Sequence, residues 1–211
     1  MTESGVVNAG GRPACPRIEL LDMTRAIALA SEVGIRANLN EQPIWRALLH
    51  RDKLAGAIYR LVTVQLFKSK LDPRTRELAI MRVAWRTASE FEWAQHWRFA
   101  VSLGISESEL AGVRDWRNFL GFDARDQAVL AAADEVIDSG AISDNCWSVL
   151  AEVLSPDELM DITFVIATWF FVSSLLRSFG VPLPEDMTPW LPDGRGPTLE
   201  SWRDGEERAH A

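Results

Sequence analysis

The stretch that decides the fold is residues 71–104, LDPRTRELAIMRVAWRTASEFEWAQHWRFAVSLG. Its apolar side chains recur every three to four residues, which is the period of an amphipathic α-helix. Asp72 followed by Pro73 is typical of a helix start, because aspartate caps backbone N–H groups and proline fits the first turn. Ser89 and Glu92 have the spacing of a capping box. We therefore predict two helices here, the second beginning at Ser89.

The same helical period extends over residues 18–179. This range shows neither the alternation of a strand nor an Asn-Gly or Asp-Gly hairpin signal, so an all-α fold is predicted. Capping boxes are predicted at Ser106 and Ser155, and the last helix should end before Gly180.

The composition favours one globular domain. The chain has 211 residues, of which 47% are hydrophobic and 25% charged, and this length suits a single core. We predict a flexible arm at residues 1–17, a helical domain at residues 18–183 and an extended tail at residues 184–211. The tail is expected to pack through Trp190 or Trp202.

Charge and cysteine content exclude several classes of protein. Acidic residues outnumber basic ones by 30 to 22, which gives a net charge of −8 and argues against nucleic acid or anionic membranes as partners. The two cysteines, Cys15 and Cys146, form no CxxC pair, which argues against a thioredoxin-like site and a four-thiolate zinc site. No metal site is expected. The N-terminus lacks a signal-peptide pattern, so a cytoplasmic location is predicted.

The segment Leu159–Leu176 is apolar enough to suggest a membrane span. It nevertheless contains Asp161, Thr163 and Ser173, together with Thr168. We favour a central helix, buried on two sides, in a homo-oligomer.

Glu77, Glu92 and His96 are the candidate catalytic residues. Glu92 and His96 are four residues apart, so they share one helix face. A carboxylate beside an imidazole raises the imidazole pKa and orients the ring, which suits proton transfer near neutral pH. The other histidines, His50 and His210, are expected to be structural and irrelevant, respectively.

Each of these residues also has a structural interpretation. Glu92 could simply complete the capping box, and His96 could be a core histidine bonded to a backbone carbonyl. Glu77 could pair with Arg74 or Arg76 on a solvated face. Spacing alone does not separate these alternatives from a catalytic site.

The motif RELAIMRVAW (residues 76–85), followed by EFEWAQH (residues 90–96), resembles the carboxymuconolactone decarboxylase family of the alkylhydroperoxidase D-like superfamily. Further similar segments are ALLHRDKLAGAIYRL, LGISESELAGV and FGVPLP. The resemblance implies an alkylhydroperoxidase D-like helical bundle. The apolar last helix has more hydrophobic surface than one small bundle would bury, so we expect a homo-oligomer, whether a dimer, trimer or hexamer.

The thiol peroxidases of that superfamily carry a CxxC between the glutamate and the histidine. In this chain Glu77 and His96 match the glutamate and the histidine, whereas Ser89 and Glu92 occupy the two cysteine positions. Without a thiolate there is no group to attack a peroxide. Cys146 has no partner and does not replace the pair, so a peroxidase is the disfavoured alternative.

The decarboxylase branch implies a cofactor-free lyase that acts on a lactone carboxylic acid. Loss of carbon dioxide leaves a dienolate, which the enzyme must stabilise and protonate. We expect His96 to be the proton donor and Glu92, in the first helical turn, to orient it. Glu77 is the second acid/base candidate.

The expected substrate-binding residues come from the same motif. Arg82 or Arg86 could anchor a carboxylate, and Trp85 and Trp93 could wall an apolar pocket. They could equally be surface arginines and core tryptophans. Ser89 is included among the substrate-binding residues.

Phe91 stands where many family relatives carry tyrosine, so the substrate could differ from carboxymuconolactone. The hypotheses are thus an acid/base lyase on a small carboxylated or carbonyl compound, the disfavoured peroxidase, and a non-catalytic oligomer that binds a small hydrophobic ligand.

Overall fold

The computed structural model describes residues 16–37, 39 and 41–198, and these contain helices and no strand. The all-α prediction is therefore confirmed. The α-helices are α1 (Met23–Val33), α2 (Pro43–Leu48), α3 (Asp52–Lys68), α4 (Pro73–Arg86), α5 (Glu90–Ser102), α6 (Glu107–Gly112), α7 (Ala124–Ser139), α8 (Asp144–Val153) and α9 (Pro156–Phe179). Short 3₁₀ turns at Leu49–Arg51 and Val113–Asp115 follow α2 and α6.

Most helix ends follow the expected capping chemistry. Asp72 accepts a hydrogen bond from the Thr75 backbone N–H, and complete capping boxes stand at Ser106 and Ser155. Gly180 ends α9 in the left-handed conformation that glycine adopts without strain. These features confirm the predicted ends of α4, α6 and α9.

The predicted capping box at Ser89 is wrong. Ser89 is the N-cap of α5, but its side chain makes no capping hydrogen bond. Its buried hydroxyl has no hydrogen-bond partner among the described residues. Glu92 consequently does not reach back to the helix start. This frees its carboxylate for another contact.

Helix α4 lies at the centre of the bundle, packed against α5, α7 and α9. Every residue from Thr75 to Trp85 is buried, so no face of this helix meets solvent over that range. The buried residues include the charged Arg76, Glu77 and Arg82. Since an unpaired buried charge is costly, each of these side chains requires a partner inside the protein.

Helix α9 is long and apolar enough to cross a membrane by length and composition, but half of its most apolar window is buried in the bundle. The buried Thr168 on this helix accepts a hydrogen bond from Gln65 of α3 at 2.8 Å. Helix α9 is thus a strongly apolar helix that packs on the rest of the described bundle along part of its surface. The side chains of Met160, Phe164 and Phe171 on α9 remain exposed.

The chain flanking the helices packs on the bundle where it is described. The Arg17 backbone N–H donates to the Phe179 carbonyl, and Trp190 lies against Trp85 and Trp93. The predicted limits of arm, domain and tail remain predictions. Most of the arm and of the tail's end lies outside the described residues, and so do Cys15, Trp202 and His210.

Candidate active site

Glu77 and His96 meet between α4 and α5. The short turn at Thr87–Ser89, in which Ala88 has a positive φ of 50°, folds α5 back along α4. The Glu77 Oε2 atom lies 2.7 Å from His96 Nδ1, and the exposed fractions of the two residues are 0% and 5%. The Glu77–His96 pair is therefore buried inside the bundle.

A buried cation completes the inner side of this pair. The Arg76 Nε–H donates to Glu77 Oε1 at 2.9 Å, and Arg76 is itself buried. Sequence analysis named Arg76 as a partner of Glu77, but on a solvated face, and that location is wrong. With Arg76 on one carboxylate oxygen and His96 on the other, Glu77 is held in one orientation as a carboxylate.

The other ring nitrogen of His96 has two neighbours. The Trp169 Nε1–H donates to His96 Nε2 at 2.8 Å, and Glu92 Oε2 lies 3.4 Å from the same nitrogen. An indole N–H can only donate, so the bond from Trp169 requires a lone pair on Nε2 and a proton on Nδ1. The Nε2 atom is therefore the position at which His96 gains or loses a proton.

The surroundings of His96 act on its pKa in opposite directions. Burial lowers the pKa, but the charge and hydrogen bond of Glu77, and then those of Glu92, outweigh burial and raise it to about 9. The Trp169 N–H favours the neutral ring. Because two carboxylates oppose one neutral donor, the net shift of the His96 pKa is upward.

An apolar cavity of about 360 Å³ borders this cluster. Its apolar lining residues are Leu39, Ile44, Trp45, Ile58, Val62, Leu66, Phe67, Phe91, Phe99, Trp169 and Val172. Its polar lining residues are Arg36, Gln42, Tyr59, Thr63, Glu92, Gln95 and His96. This volume and mixture of side chains are typical of a small-molecule site.

The cavity borders the Nε2 side of the His96 ring but not its Nδ1 side. Glu92 and Trp169, the neighbours of Nε2, line it, whereas Glu77, the neighbour of Nδ1, does not. Sequence analysis gave Glu92 the orienting role and Glu77 the second acid/base role. In the structure Glu77 is sealed behind the ring, whereas Glu92 faces the space that a ligand could occupy.

A comparison with protein families finds a match for the central helices of the chain. Residues 52–135 match the profile of the carboxymuconolactone decarboxylase family. The central helices are therefore similar to those of this family over less than half of the chain. The matched segment contains Glu77, Glu92 and His96, whereas Trp169 lies beyond it. No curated protein matches the chain.

Three solved structures share the fold. A protein of unknown function from Agrobacterium tumefaciens, described as a candidate antioxidant defence protein AhpD, is 19% identical with a TM-score of 0.61, covering 66% of this chain and 96% of that one. A peroxidase-related protein with an alkylhydroperoxidase AhpD core, from Ralstonia eutropha JMP134, is 13% identical with a TM-score of 0.66, covering 81% and 93%. A peroxidase-related protein from Silicibacter sp. TM1040 is 16% identical with a TM-score of 0.58, covering 93% and 98%. These likenesses confirm the alkylhydroperoxidase D-like fold.

Within residues 52–135, Arg82 and Arg86 do not reach the cavity. Arg82 forms two bonds with Asp134, at 2.6 and 2.9 Å, and also donates to the Val113 and Arg114 carbonyls. Arg86 donates to Asp134 as well. The expectation that either arginine anchors a substrate carboxylate is not met, because their donors serve an internal network.

The tryptophans of the family motif also lie elsewhere. Trp85 and Trp93 pack against each other, and Trp190 packs against both. The Trp93 Nε1–H donates to the Leu191 carbonyl. The expected aromatic pocket wall is instead supplied by other residues, and Ser89 does not line the cavity either.

Sequence analysis missed three residues of the site, namely Trp169, Tyr59 and Arg36. Trp169 lies in a run of apolar residues, where nothing in the pattern distinguishes a histidine-binding indole from a core side chain. Tyr59 offered one signal, because it is the single tyrosine of the chain. Arg36 follows α1 in an irregular segment and belongs to no motif.

Among the described residues we find neither a cluster suited to a metal ion nor a reactive thiol. Among residues 16–37, 39 and 41–198 no group of three or more His, Cys, Asp or Glu side chains could hold a metal ion. Cys146 is buried on α8, where burial and the neighbouring Glu135 raise the pKa of its thiol to about 11. The thiol is thus protonated at neutral pH, which suppresses its reactivity.

Proposed function

We propose that this protein is a cofactor-free acid/base enzyme that moves a proton to or from carbon beside a carbonyl group. Its most specific form is a lyase of the carboxymuconolactone decarboxylase type that acts on a small carboxylated lactone. One observation carries the proposal: His96 is locked by Glu77 at Nδ1 while its Nε2 borders an apolar cavity beside Glu92. The family match of residues 52–135 supports it.

The proposed steps use only this chain's side chains. Cleavage of the carbon–carbon bond to the carboxylate releases carbon dioxide and leaves the electron pair delocalised over the unsaturated lactone. The His96 Nε2–H then gives its proton to carbon, and the Trp169 N–H stabilises the neutral imidazole that remains. Glu92 supports the return of a proton to Nε2, and Glu77 keeps the ring oriented.

The charged end of such a substrate must lie at the cavity mouth. Among the described lining residues Arg36 is the single Lys or Arg side chain, and it is exposed. Glu92 excludes a carboxylate from the inner end by repulsion. We therefore propose that the apolar ring of the substrate enters first and that its carboxylate remains near Arg36.

Deuterium exchange tests the proton-transfer step without the natural substrate. α-Angelica lactone is an unsaturated γ-lactone that loses and regains a ring proton through a dienolate. In deuterated water the wild-type protein should accelerate incorporation of deuterium into this ring, followed by proton NMR. His96→Ala should lower the protein-dependent rate by about 10²–10⁴-fold, and Glu92→Gln by about 10²-fold.

Two matched variants serve as controls. His50 is an exposed histidine bonded to the Glu19 carbonyl, and Glu107 is an exposed glutamate in the first turn of α6. His50→Ala and Glu107→Gln should exchange at the wild-type rate. If His96→Ala remains as fast as wild type, the acid/base assignment is wrong. If the wild type binds the lactone without exchange, the protein is a small-ligand binder.

We also propose that the protein is a cytoplasmic homo-oligomer that does not bind nucleic acid or membranes. The support is an apolar surface on adjacent helices, in which Phe164 and Phe171 of α9 are 52% and 45% exposed and Val64 of α3 is 56% exposed. Exposed apolar patches of this kind are typical of subunit interfaces.

Light scattering tests the assembly. The wild type should have a mass well above the 23.6 kDa of one chain, and Phe164→Glu should shift it towards the monomer because a carboxylate would enter the interface. A wild-type monomer at micromolar concentration would contradict the proposal.

A further inference from the structure

We propose that the Tyr59 hydroxyl is the hydrogen-bond donor that binds the carbonyl oxygen of a cyclic ester or ketone in the His96 cavity. This inference rests on the proposed function and adds to it the group that holds the substrate oxygen. His96 and Glu92 can transfer a proton to or from a carbon atom of the substrate. Neither one supplies a neutral donor for the oxygen that becomes negative when carbon is deprotonated or loses carbon dioxide.

The location of Tyr59 is the first support. Tyr59 lies on α3, lines the same cavity as His96, and is only 7% exposed. Its ring is fixed edge-on against Trp45, with the ring centroids 5.6 Å apart. The side chain is therefore rigid, and most of its surface is already covered by protein.

The unused hydroxyl is the second support. A buried tyrosine normally pairs its hydroxyl inside the protein. Within the described part of the chain, the Tyr59 hydroxyl has no hydrogen-bond partner, and it is not among the sealed polar atoms that lack one. Because Tyr59 is otherwise buried and lines the cavity, the cavity is the space that its accessible hydroxyl can reach.

The other donors around the cavity fit the task less well. The Trp169 N–H is used by His96, and the Gln95 amide donates to Gln42 at 3.3 Å. Thr63 lies one helical turn after Tyr59 and also lines the cavity, but an aliphatic hydroxyl is a weaker acid than a phenol. A phenol is therefore the better hydrogen-bond donor to a developing enolate oxygen.

In the proposed step, the Tyr59 hydroxyl stabilises the negative charge that forms on the carbonyl oxygen. When carbon loses its proton to His96 or its carboxylate as carbon dioxide, the electron pair moves toward the carbonyl oxygen, and the Tyr59 O–H holds that charge by a hydrogen bond. When carbon regains a proton from His96 Nε2, the electron pair returns and the carbonyl is restored. Tyr59 keeps its own proton throughout.

The single tyrosine makes a direct measurement possible. Protein labelled with ¹³C at the tyrosine Cζ gives one resonance, which reports the hydrogen bonding of the phenol. Titration with α-angelica lactone should shift this resonance, whereas cyclopentene, a five-membered ring without oxygen, should shift it much less. Equal shifts from the two ligands would overturn the proposal.

Tyr59→Phe keeps the ring and its contact with Trp45 and removes only the hydroxyl. This variant should bind the lactone about 2- to 10-fold more weakly, as expected for one lost hydrogen bond, and should bind cyclopentene unchanged. Its turnover rate in deuterium exchange should fall by about 10²–10³-fold, which exceeds the change in KM. Thr63→Val is the matched control on the same helix and should change neither quantity by as much.

The two proposals fail in different ways. If wild-type protein does not catalyse exchange, the proposed function is wrong, while the lactone-selective shift and affinity still decide the role of Tyr59. If exchange depends on His96 but Tyr59→Phe matches the wild type in rate and lactone affinity, the acid/base site stands and the role of Tyr59 is overturned.

Discussion

Helix α4 carries two buried charge clusters that look alike in sequence and differ in their surroundings. One joins Glu77 to Arg76 and His96, and the other joins Arg82 and Arg86 to Asp134. Both are shielded from solvent by the helices packed around α4. The first cluster ends at an imidazole nitrogen beside a cavity. The second ends in bonds to backbone carbonyls, to the buried Trp116 and to the exposed side chains of Asp138 and Arg117.

Buried charge alone therefore does not identify a functional site. Burial raises the pKa of Asp134, but Arg82 and then Arg86 outweigh it, so the net shift is downward. Asp134 thus stays ionised at neutral pH and cannot exchange a proton there. His96, whose pKa is raised to about 9, can exchange a proton close to neutral pH. A cluster with a titratable end at a cavity can do chemistry, while a closed cluster holds the bundle together.

The largest effect on stability should come from the closed cluster. Asp134→Asn keeps the side-chain shape but leaves Arg82 as a buried cation without a counter-charge. The free energy of unfolding, measured with urea, should fall by about 3–5 kcal/mol. The exchange activity of the remaining folded protein should persist, because Asp134 does not border the cavity.

Arg117→Ala is the matched control for this cluster. Arg117 contacts the same carboxylate at 3.2 Å, but its side chain is 53% exposed, so its loss should cost less than about 1 kcal/mol. Equal losses from the two variants would show that the closed cluster is not the stabilising element proposed here.

The sequence predicted helices better than it predicted the direction of individual side chains. Cap residues act on the next three or four residues of the chain, so Asp72, Ser106 and Ser155 could be interpreted locally. Ser89 has the same pattern as Ser106 but no capping bond. There the Ser89 backbone N–H donates to the Ala84 carbonyl, and the Glu92 carboxylate lies beside His96 on the same helix.

The site was predictable where the motif lies within two consecutive helices. Glu77, Glu92 and His96 all belong to α4 and α5, whose short connection fixes their relation. Trp169 comes from α9, 73 residues after His96, and no local pattern connects the two. Arg82 and Arg86 were assigned to a substrate because the sequence did not reveal that Asp134 would bind them.

The cluster of Glu77, Arg76 and His96 should have a smaller effect. This effect should appear in how the free energy of unfolding depends on pH. Because the folded-state pKa of His96 is raised from 6.5 to about 9, its protonated form stabilises the folded protein. This contribution is complete below about pH 6.5 and is lost as the pH rises through 9. Between these limits the wild type should lose at most about 3 kcal/mol relative to His96→Gln.

His50→Gln should show the wild-type pH profile, since His50 lies outside the cluster. Urea unfolding at a series of pH values from 6 to 10 provides the measurement. A wild-type profile parallel to that of His96→Gln would mean that the Trp169 N–H holds the ring neutral throughout, against the pull of the two carboxylates.

The smallest effect should come from Cys146, the described residue whose side chain could carry thiol chemistry. The peroxidase-related names of two structural neighbours suggest a hydroperoxide assay. The family resemblance, however, implies that Ser89 and Glu92 occupy the two cysteine positions of the thiol peroxidases. The Cys146 thiol is buried, with a pKa raised to about 11, so almost none of it is thiolate at neutral pH. Purified protein should therefore not consume an alkyl hydroperoxide with a dithiol as reductant, and Cys146→Ser should leave both this result and the lactone exchange unchanged. Hydroperoxide turnover that disappears in Cys146→Ser would show that a thiol on α8, rather than the imidazole between α4 and α5, is the reactive group of this fold.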